Sequence, residues 1–200
     1  MAAIGLFPLG IVLFPTEQIP LHIFEPRYRE LIGECRRDET AFGLVNAGED
    51  DGLRRVGTFA HVLEAEELDD GRLNIVVEGR ERFRIVEETT GRAFVTATVE
   101  PVTDSDDPAP AELAEQALTL FDRLVALTGT DIDRPEIGHP QLSYAIGSHF
   151  ELAPAVKQGL LEELSERARL EAIRTILEGS HEAIVARREI AARASTNGKH

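Results

Sequence analysis

The sequence LFPLGIVLFPTEQIPLHIFEPRYRELI, from Leu6 to Ile32, decides the fold of this chain. Four prolines divide it, and each fixes φ and removes a backbone donor, so regular elements must fit between them. The apolar pieces IVLF (11–14) and LHIF (21–24) are rich in β-branched or aromatic residues and predict two strands. Pro26 suits the first turn of a helix, where its missing N–H is not needed. The next apolar residues fall at helical spacing and predict a buried helix face: Tyr28, Leu31, Ile32 and Cys35.

This stretch resembles the opening of the amino-terminal, or substrate-binding, domain of Lon proteases. The resemblance is carried by residues 6–15 and by residues 19–31, which contain the sequence IFEPRYREL. Further segments similar to the family are FGLV at 42–45, DGRLNIVVEGRERFRI at 70–85 and the helical part at 142–162, with KQGLLE at its end. The resemblance covers roughly residues 4–178. Thr16 stands where the family usually has Gly, so we expect a different type of turn there.

The composition predicts a packed globular protein with an acidic surface. Hydrophobic residues make up 42% of the 200 residues and charged residues 28%, values typical of globular chains. The net charge is −15, and the carboxylates are spread along the whole chain. Nucleic acid and anionic membrane surfaces are therefore not expected as partners, because binding phosphate normally requires clustered Lys and Arg. Neither a signal peptide nor a transmembrane helix is predicted.

The residue types needed for common catalytic and metal sites are missing or scattered. Cys35 is the only cysteine, which excludes an internal disulfide and suits a reducing, cytoplasmic location. The six histidines form no HExxH motif, so neither a metal nor another cofactor is expected. Neither Lys157 nor Lys199 belongs to a phosphate-binding GxxxxGK[ST] loop. No segment resembles the Lon ATPase or its Ser–Lys peptidase, and the chain is predicted not to be an enzyme.

The pattern of turns and apolar periods divides the chain at residues 101–110, PVTDSDDPAP, which indicate a linker. Before it the predicted elements are mostly strands, among them 57–68, 72–78, 82–87 and 93–102, with a bulge or bend at Gly79. After it they are helices, at 111–128, 141–150 and 154–164, and from Ser165 onward with a possible bend at Gly179. Residues 49–52 are predicted to form an exposed acidic loop.

The predicted fold class is α+β. We expect a β-rich domain over residues 1–103, a helical bundle over 108–194 and a disordered tail over 195–200. The family resemblance implies that the first domain is a small PUA-like β-barrel with one helix. The strand pattern agrees with such a barrel but does not by itself distinguish it from other small barrels.

The arginines of the RERFR segment are open to two interpretations. Arg80, Arg82 and Arg84 alternate and therefore share one face of a strand. They form either a solvated face beside Glu78 and other acids, or a tie in which one of them pairs with Glu25 at the helix entrance.

The family resemblance implies a non-enzymatic module that recognises unfolded or tagged polypeptide, with a protease or chaperone as a further partner. The alternatives are a protein–protein scaffold using the helical domain, and an enzyme or small-molecule binder with an acidic cleft. For peptide binding we expect apolar residues beside an open strand edge, where prolines leave backbone groups unpaired. The candidate peptide-binding residues are Pro15, Ile19, His22, Phe24 and Arg82.

Overall fold

The computed structural model describes residues 3–48 and 52–197, and its fold is α+β, as predicted. The predicted acidic loop therefore lies mostly outside the described residues, as does the end of the predicted disordered tail, of which 195–197 belong to a helix. The chain forms two compact units. The first comprises the residues up to Ser105 together with Phe150–Leu164, and the second comprises Asp106–His149 and the chain from Ser165. Among the described residues, no helix combines the length and apolar character needed to span a membrane.

The first unit is built on one mixed sheet of six described strands. They are β1 (Ala3–Leu9), β2 (Gln18–Ile23), β3 (Phe42–Asn46), β4 (Val56–Glu67), β5 (Leu73–Thr89) and β6 (Thr96–Val102). Their order is β2-β5-β4-β3-β1-β6, and β6 also pairs with β5, so five strands close on themselves. The remaining strand, β2, pairs with the first part of the long strand β5 and lies outside this closure. The sheet is therefore not a regular barrel.

The first strand lies earlier in the sequence than predicted. β1 ends at Leu9, and residues 12–14, expected in a strand, form a buried irregular segment instead. β1 takes its place between β3, which it meets in parallel, and β6, which it meets antiparallel. Thr16 follows with a positive φ of 69°, in the left-handed conformation that glycine favours.

Gly79 is required by a close approach between β5 and the segment before β2. A Cβ atom at this position would lie 2.2 Å from the carbonyl oxygen of Phe14, a contact that no side chain tolerates. The N–H of Gly79 donates to the carbonyl of Glu17 at 2.9 Å, and its carbonyl accepts from the N–H of Thr16 at 2.7 Å. β5 therefore continues through Gly79 as one strand, where the sequence predicted two.

Helix α1 (Pro26–Asp38) covers the core of the sheet with the face predicted from the sequence. Tyr28, Leu31, Ile32 and Cys35 are all buried there. The ring of Tyr28 lies 4.2 Å from that of Phe7 on β1. Burial raises the pKa of the Cys35 thiol, consistent with a small side chain packed in a core rather than a reactive group.

Helix α4 (Pro154–Glu162) belongs to the first unit, although the sequence analysis placed it in the helical bundle. Lys157 forms an ion pair with Glu17 at 2.6 Å, and Gln158 donates to the carbonyl of Val56 at 3.1 Å. These polar contacts attach the helix to the sheet unit, and they could not be inferred from its apolar pattern.

The second unit contains α2 (Ala111–Thr128), α3 (Leu142–Gly147) and α5 (Glu166–Asn197). α5 runs through Gly179 without the interruption considered from the sequence. A buried ion pair joins Arg169 to Glu166 at 2.7 Å. Glu166 also accepts from the backbone N–H of Ser143 at 2.8 Å, which fixes the start of α3 against α5.

Candidate functional site

The candidate site is built around β2, the strand at the end of the sheet. β2 pairs with β5 in antiparallel register, from Gln18 opposite Glu78 to Ile23 opposite Leu73. In the part of the chain that the structure describes, no strand pairs with its other edge. An unpaired strand edge presents backbone donors and acceptors to which another extended chain can bind.

The hydrogen-bonding phase of β2 determines which backbone groups this free edge presents. In an antiparallel pair, residues whose N–H and C=O point to the partner alternate with residues whose groups point away. The N–H of Gly79 on β5 donates to the carbonyl of Glu17, just before β2, so the backbone groups of Glu17 point toward β5. By alternation, the backbone groups of the odd-numbered residues of β2 also point toward β5. Pro20, which has no N–H to give the ladder, falls among the outward-facing residues, as a proline in an edge strand should. The free edge therefore offers the N–H and C=O of Gln18 and His22, and the C=O of Pro20.

A groove of about 570 Å³ crosses the outer face of the sheet next to this edge. We call it the β2 groove. Two cross-strand rows of side chains border it: Pro20, Val76 and Glu64 in one row, and His22, Asn74 and Glu66 in the other. Leu21, Ile75 and Ala65 line the strip between the rows and pack toward the core, so they contribute mainly backbone there. The two rows lie roughly 7 Å apart, two residues along each strand.

Hydrogen bonds hold the second row in place. The Nδ1 of His22 lies 2.8 Å from Oδ1 of Asn74, and the Nδ2 of Asn74 donates to Glu66 at 3.3 Å. The Nε2 of His22 lies 3.3 Å from the guanidinium of Arg72. Because a guanidinium can only donate, Nε2 is the acceptor and Nδ1 the donor of this imidazole. This wall of the groove is therefore polar, whereas Pro20 and Val76 make the facing wall apolar.

The structure brings together two of the five residues predicted to bind peptide. His22 and Phe24 are both exposed, and their rings lie 6.2 Å apart beside the free edge. Phe24 is 61% exposed, a large value for a phenylalanine. Ile19 lies on the same strand but packs toward the core, and Pro15 is buried in the preceding segment.

Arg82 stands apart from this surface. Only 3% of it is exposed, and it donates to the carbonyls of Leu161 and Glu163 at the end of α4 and pairs with Asp104. The structure therefore assigns it to holding α4 on the sheet and not to binding a peptide. Its neighbours are exposed: Arg80 pairs with Glu78 and Arg84 with Glu100. Glu25, the other partner considered from the sequence, pairs with Arg27.

Of the six side chains that border the groove, the predicted residues included only His22 and lacked Pro20, Glu64, Glu66, Asn74 and Val76. The alternation of Glu64, Ala65 and Glu66 was a usable signal, because it places both carboxylates on one strand face. Their position relative to β2 could not be read in the same way. It depends on a register shift between Val62 and Glu64, where β4 bulges against β5.

A second cavity, of about 380 Å³, lies between α1 and β4 and includes Cys35, His61 and Arg80. Burial, together with the positive charge of Arg80, lowers the pKa of His61. Within residues 3–48 and 52–197, no group of His, Cys, Asp or Glu side chains is arranged to hold a metal ion. This cavity offers no free strand edge, and we do not assign a role to it.

Comparison with known proteins gives a consistent result. The family model described as "ATP-dependent protease La (LON) substrate-binding domain" matches residues 3–179. A solved structure titled Lon N-terminal domain protein, from Xanthomonas campestris, has 25% identity and a TM-score of 0.71, covering 86% of this chain and 97% of that one. The N-terminal domain of a Mycobacterium avium complex Lon protease shares the fold at 18% identity, with a TM-score of 0.69.

The curated relatives are much longer proteins. Lon protease 2 of Syntrophobacter fumaroxidans is 27% identical over 177 residues, which are 81% of this chain and 22% of that protein. Lon protease of Rhizobium meliloti is 29% identical over 185 residues, 84% of this chain and 23% of that protein. The chain thus spans less than a quarter of these relatives, and the family match covers their substrate-binding domain and not an ATPase or peptidase domain. By its sequence and its fold, the chain belongs to the LON substrate-binding domain family.

Proposed function

We propose that this chain is a non-enzymatic recognition module that binds unfolded or tagged polypeptide along the free edge of β2. The observation that carries the proposal is the row of outward-facing backbone groups at Gln18, Pro20 and His22, beside a groove with one apolar wall. An extended polypeptide can add to such an edge through its main chain, while its side chains enter neighbouring pockets. Membership of a substrate-binding family supports a role in recognition.

Pairing through the main chain favours unfolded over folded ligands. Every polypeptide carries backbone N–H and C=O groups, but in folded proteins nearly all of them are already hydrogen-bonded. Pro20 has no N–H to donate to the bound polypeptide, and a flexible ligand loses conformational entropy on binding. We therefore expect dissociation constants on the order of micromolar or weaker. Such reversible capture suits a module that passes polypeptide to a protease or chaperone partner.

Two substitutions at one position test the role of the free edge. His22→Pro removes the outward-facing N–H and the imidazole, whereas His22→Ala removes the imidazole and keeps the N–H. Neither removes a backbone hydrogen bond between β2 and β5, because the N–H of His22 points away from β5. Both lose the side-chain hydrogen bond from His22 to Asn74, so this loss cancels in the comparison. We expect His22→Pro to weaken binding of a reduced, alkylated polypeptide about fivefold more than His22→Ala does, as the loss of one hydrogen bond implies. Isothermal titration calorimetry measures the affinities, and circular dichroism checks the fold.

Amide chemical shifts locate the bound polypeptide independently of these variants. Titration of the labelled wild-type chain should shift the amides of β2 and of the facing part of β5. Shifts confined to residues 111–149 and 165–190, or equal binding by the two His22 variants, would contradict binding at this edge. The first of these results would favour a scaffold that uses the helical unit. Polypeptide recovered after the titration should be intact, and added ATP should remain unhydrolysed.

A further inference from the structure

One end of the β2 groove carries two carboxylates whose charge is not balanced locally. Glu64 and Glu66 are both exposed and lie two residues apart on the same face of β4. Among the described residues, Glu64 forms neither an ion pair nor a side-chain hydrogen bond, and Glu66 accepts one hydrogen bond, from the neutral amide of Asn74. Of the arginines nearby, Arg72 pairs with Asp70 at 2.7 Å and Arg80 with Glu78 at 2.9 Å. Arg36 lines the neighbouring cavity together with Glu64 but forms no ion pair with it. The β4 end of the groove is therefore a site of negative potential.

An apolar path leads from the free edge to these carboxylates. Pro20 on β2 lies opposite Val76 on β5, and Val76 lies opposite Glu64 on β4. The path crosses from the first strand to the third, about 10 Å at the usual spacing of strands. A ligand group that follows it touches hydrocarbon first and a carboxylate last.

We infer that the β2 groove receives an arginine or lysine side chain of the bound polypeptide, with its aliphatic stem on Pro20 and its cationic head over Val76, facing Glu64 and Glu66. This inference rests on the proposed function and specifies its ligand. Arg and Lys combine an apolar stem with a charged end, and they commonly lay the stem along apolar surface while the head reaches a polar region. A strand added beside β2 lies about 14 Å from β4 at the usual spacing of strands, so Arg and Lys, the longest basic side chains, bring their charge over β5 and within range of the two carboxylates.

Other side chains fit the groove less well. A large apolar side chain would cover the carboxylates without pairing them, and burying an unpaired charge is unfavourable. An acidic side chain would meet repulsion from Glu64 and Glu66 and from the acidic chain as a whole, whose net charge is −15. A short polar side chain would leave the path from Pro20 to Val76 uncovered. The groove therefore favours extended segments in which a basic residue lies among apolar ones.

The test compares two unfolded peptides that differ at one atom. One contains a single arginine among apolar and small polar residues, and in the other that arginine is citrulline, which keeps the shape and loses the charge. We expect the wild-type chain to bind the arginine peptide about fivefold more tightly at low ionic strength, the effect typical of one or two exposed charge pairs. Fluorescence anisotropy of labelled peptides gives both affinities.

Paired variants separate the local carboxylates from the general acidity of the chain. In the double variant Glu64→Gln, Glu66→Gln, the arginine peptide should bind no better than the citrulline peptide. The double variant Glu87→Gln, Glu88→Gln makes the same change in net charge on exposed residues outside the groove, and it should retain the wild-type preference.

Each contrary outcome has a definite meaning. Equal binding of the two peptides by the wild-type chain, with His22→Pro still weakening both, would overturn the arginine site and leave recognition at the β2 edge standing. An equal loss of preference in both double variants would also overturn it, because the preference would then come from overall charge. Failure of both peptides to bind at millimolar concentration would overturn the proposed function as well.

Discussion

Tyr28 is a single side chain through which helix α1 packs on strand β1, and the stability of the first unit depends on such contacts. Its ring is 7% exposed, lies 4.2 Å from the ring of Phe7 on β1 and carries the guanidinium of Arg27 on its face at 4.6 Å. Burial raises the pKa of the Tyr28 hydroxyl, and the nearby Arg27 opposes this shift. Because Pro26 fixes the start of α1 two residues earlier, the ring has little freedom to move when its surroundings change.

Tyr28→Ala is expected to lower the free energy of unfolding by about 3–5 kcal/mol, the cost usual for replacing a buried aromatic ring by a methyl group. Tyr28→Phe is the matched control, because it keeps the ring and removes only the hydroxyl, and it should cost about 1 kcal/mol or less. Urea unfolding followed by circular dichroism measures both changes. An unchanged midpoint for Tyr28→Ala, with loss of polypeptide binding, would instead identify the ring as a contact for the ligand.

At the scale of elements, the patterns that are local in sequence were predicted well and the pairings between distant segments were not. The boundaries of α2 at 111–128 follow from its apolar period, and the buried face of α1 follows from residues 28–35. The first strand was misplaced because a run of β-branched and aromatic residues at 11–14 has a stronger strand pattern than β1, whose place is decided by pairing with β3 and β6. α4 was placed in the helical bundle because its apolar period does not distinguish the two units, whereas the polar contacts of Lys157 and Gln158 with the first unit join segments distant in sequence.

Arg82 is the clearest of these attachments. Its guanidinium satisfies the carbonyls of Leu161 and Glu163 at the C-terminal end of α4, where helix carbonyls lack partners within the helix. It also pairs with Asp104, in the segment that follows β6. One buried side chain therefore holds three separate parts of the first unit together.

Arg82→Met should destabilise the first unit by roughly 3–5 kcal/mol, because it leaves a carboxylate and two carbonyls without their buried partner. Hydrogen exchange followed by mass spectrometry should show faster exchange in α4 than in α1. Arg80→Met, on the same strand but exposed, is the control, and its effect should stay within about 0.5 kcal/mol. Equal protection of α4 in the two variants would show that its apolar contacts suffice to hold it.

At the scale of the whole molecule, the sequence predicted the fold class, whereas the peptide-binding residues stay a prediction, of which only His22 lines the groove. His22 and Phe24 could be singled out because both fall in the short apolar segment between Pro20 and Pro26. Glu64 and Val76 could not, since their meeting requires the order β2-β5-β4 and the register shift within β4. Such a shift by one residue exchanges the side chains on the two faces of a strand, and no local pattern of β4 fixes it.

The acidity of the molecule has opposite consequences for folding and for binding. With 36 acidic against 21 basic residues, the compact state brings like charges together, and this repulsion opposes folding. Raising NaCl from about 10 mM to about 150 mM shortens the screening length from about 30 Å to about 8 Å. The melting temperature should therefore rise. Salt weakens surface ion pairs such as Arg27–Glu25, but each of these stabilises the fold only slightly. The stability lost there is smaller than the stability gained when the repulsion between carboxylates is screened.

Over the same range of salt, binding of an arginine-containing polypeptide should weaken. Salt screens the attraction of its guanidinium to Glu64 and Glu66 just as it screens the repulsion among the carboxylates of the chain. Binding of the citrulline peptide should change little, since hydrogen bonds along the edge of β2 depend only weakly on salt. Differential scanning calorimetry and anisotropy titrations on one preparation measure the two trends together. A melting temperature that falls with salt would show that ion pairs outweigh the net charge. Equal weakening of both peptides would show that salt acts on the polypeptide and not on the carboxylates of the groove.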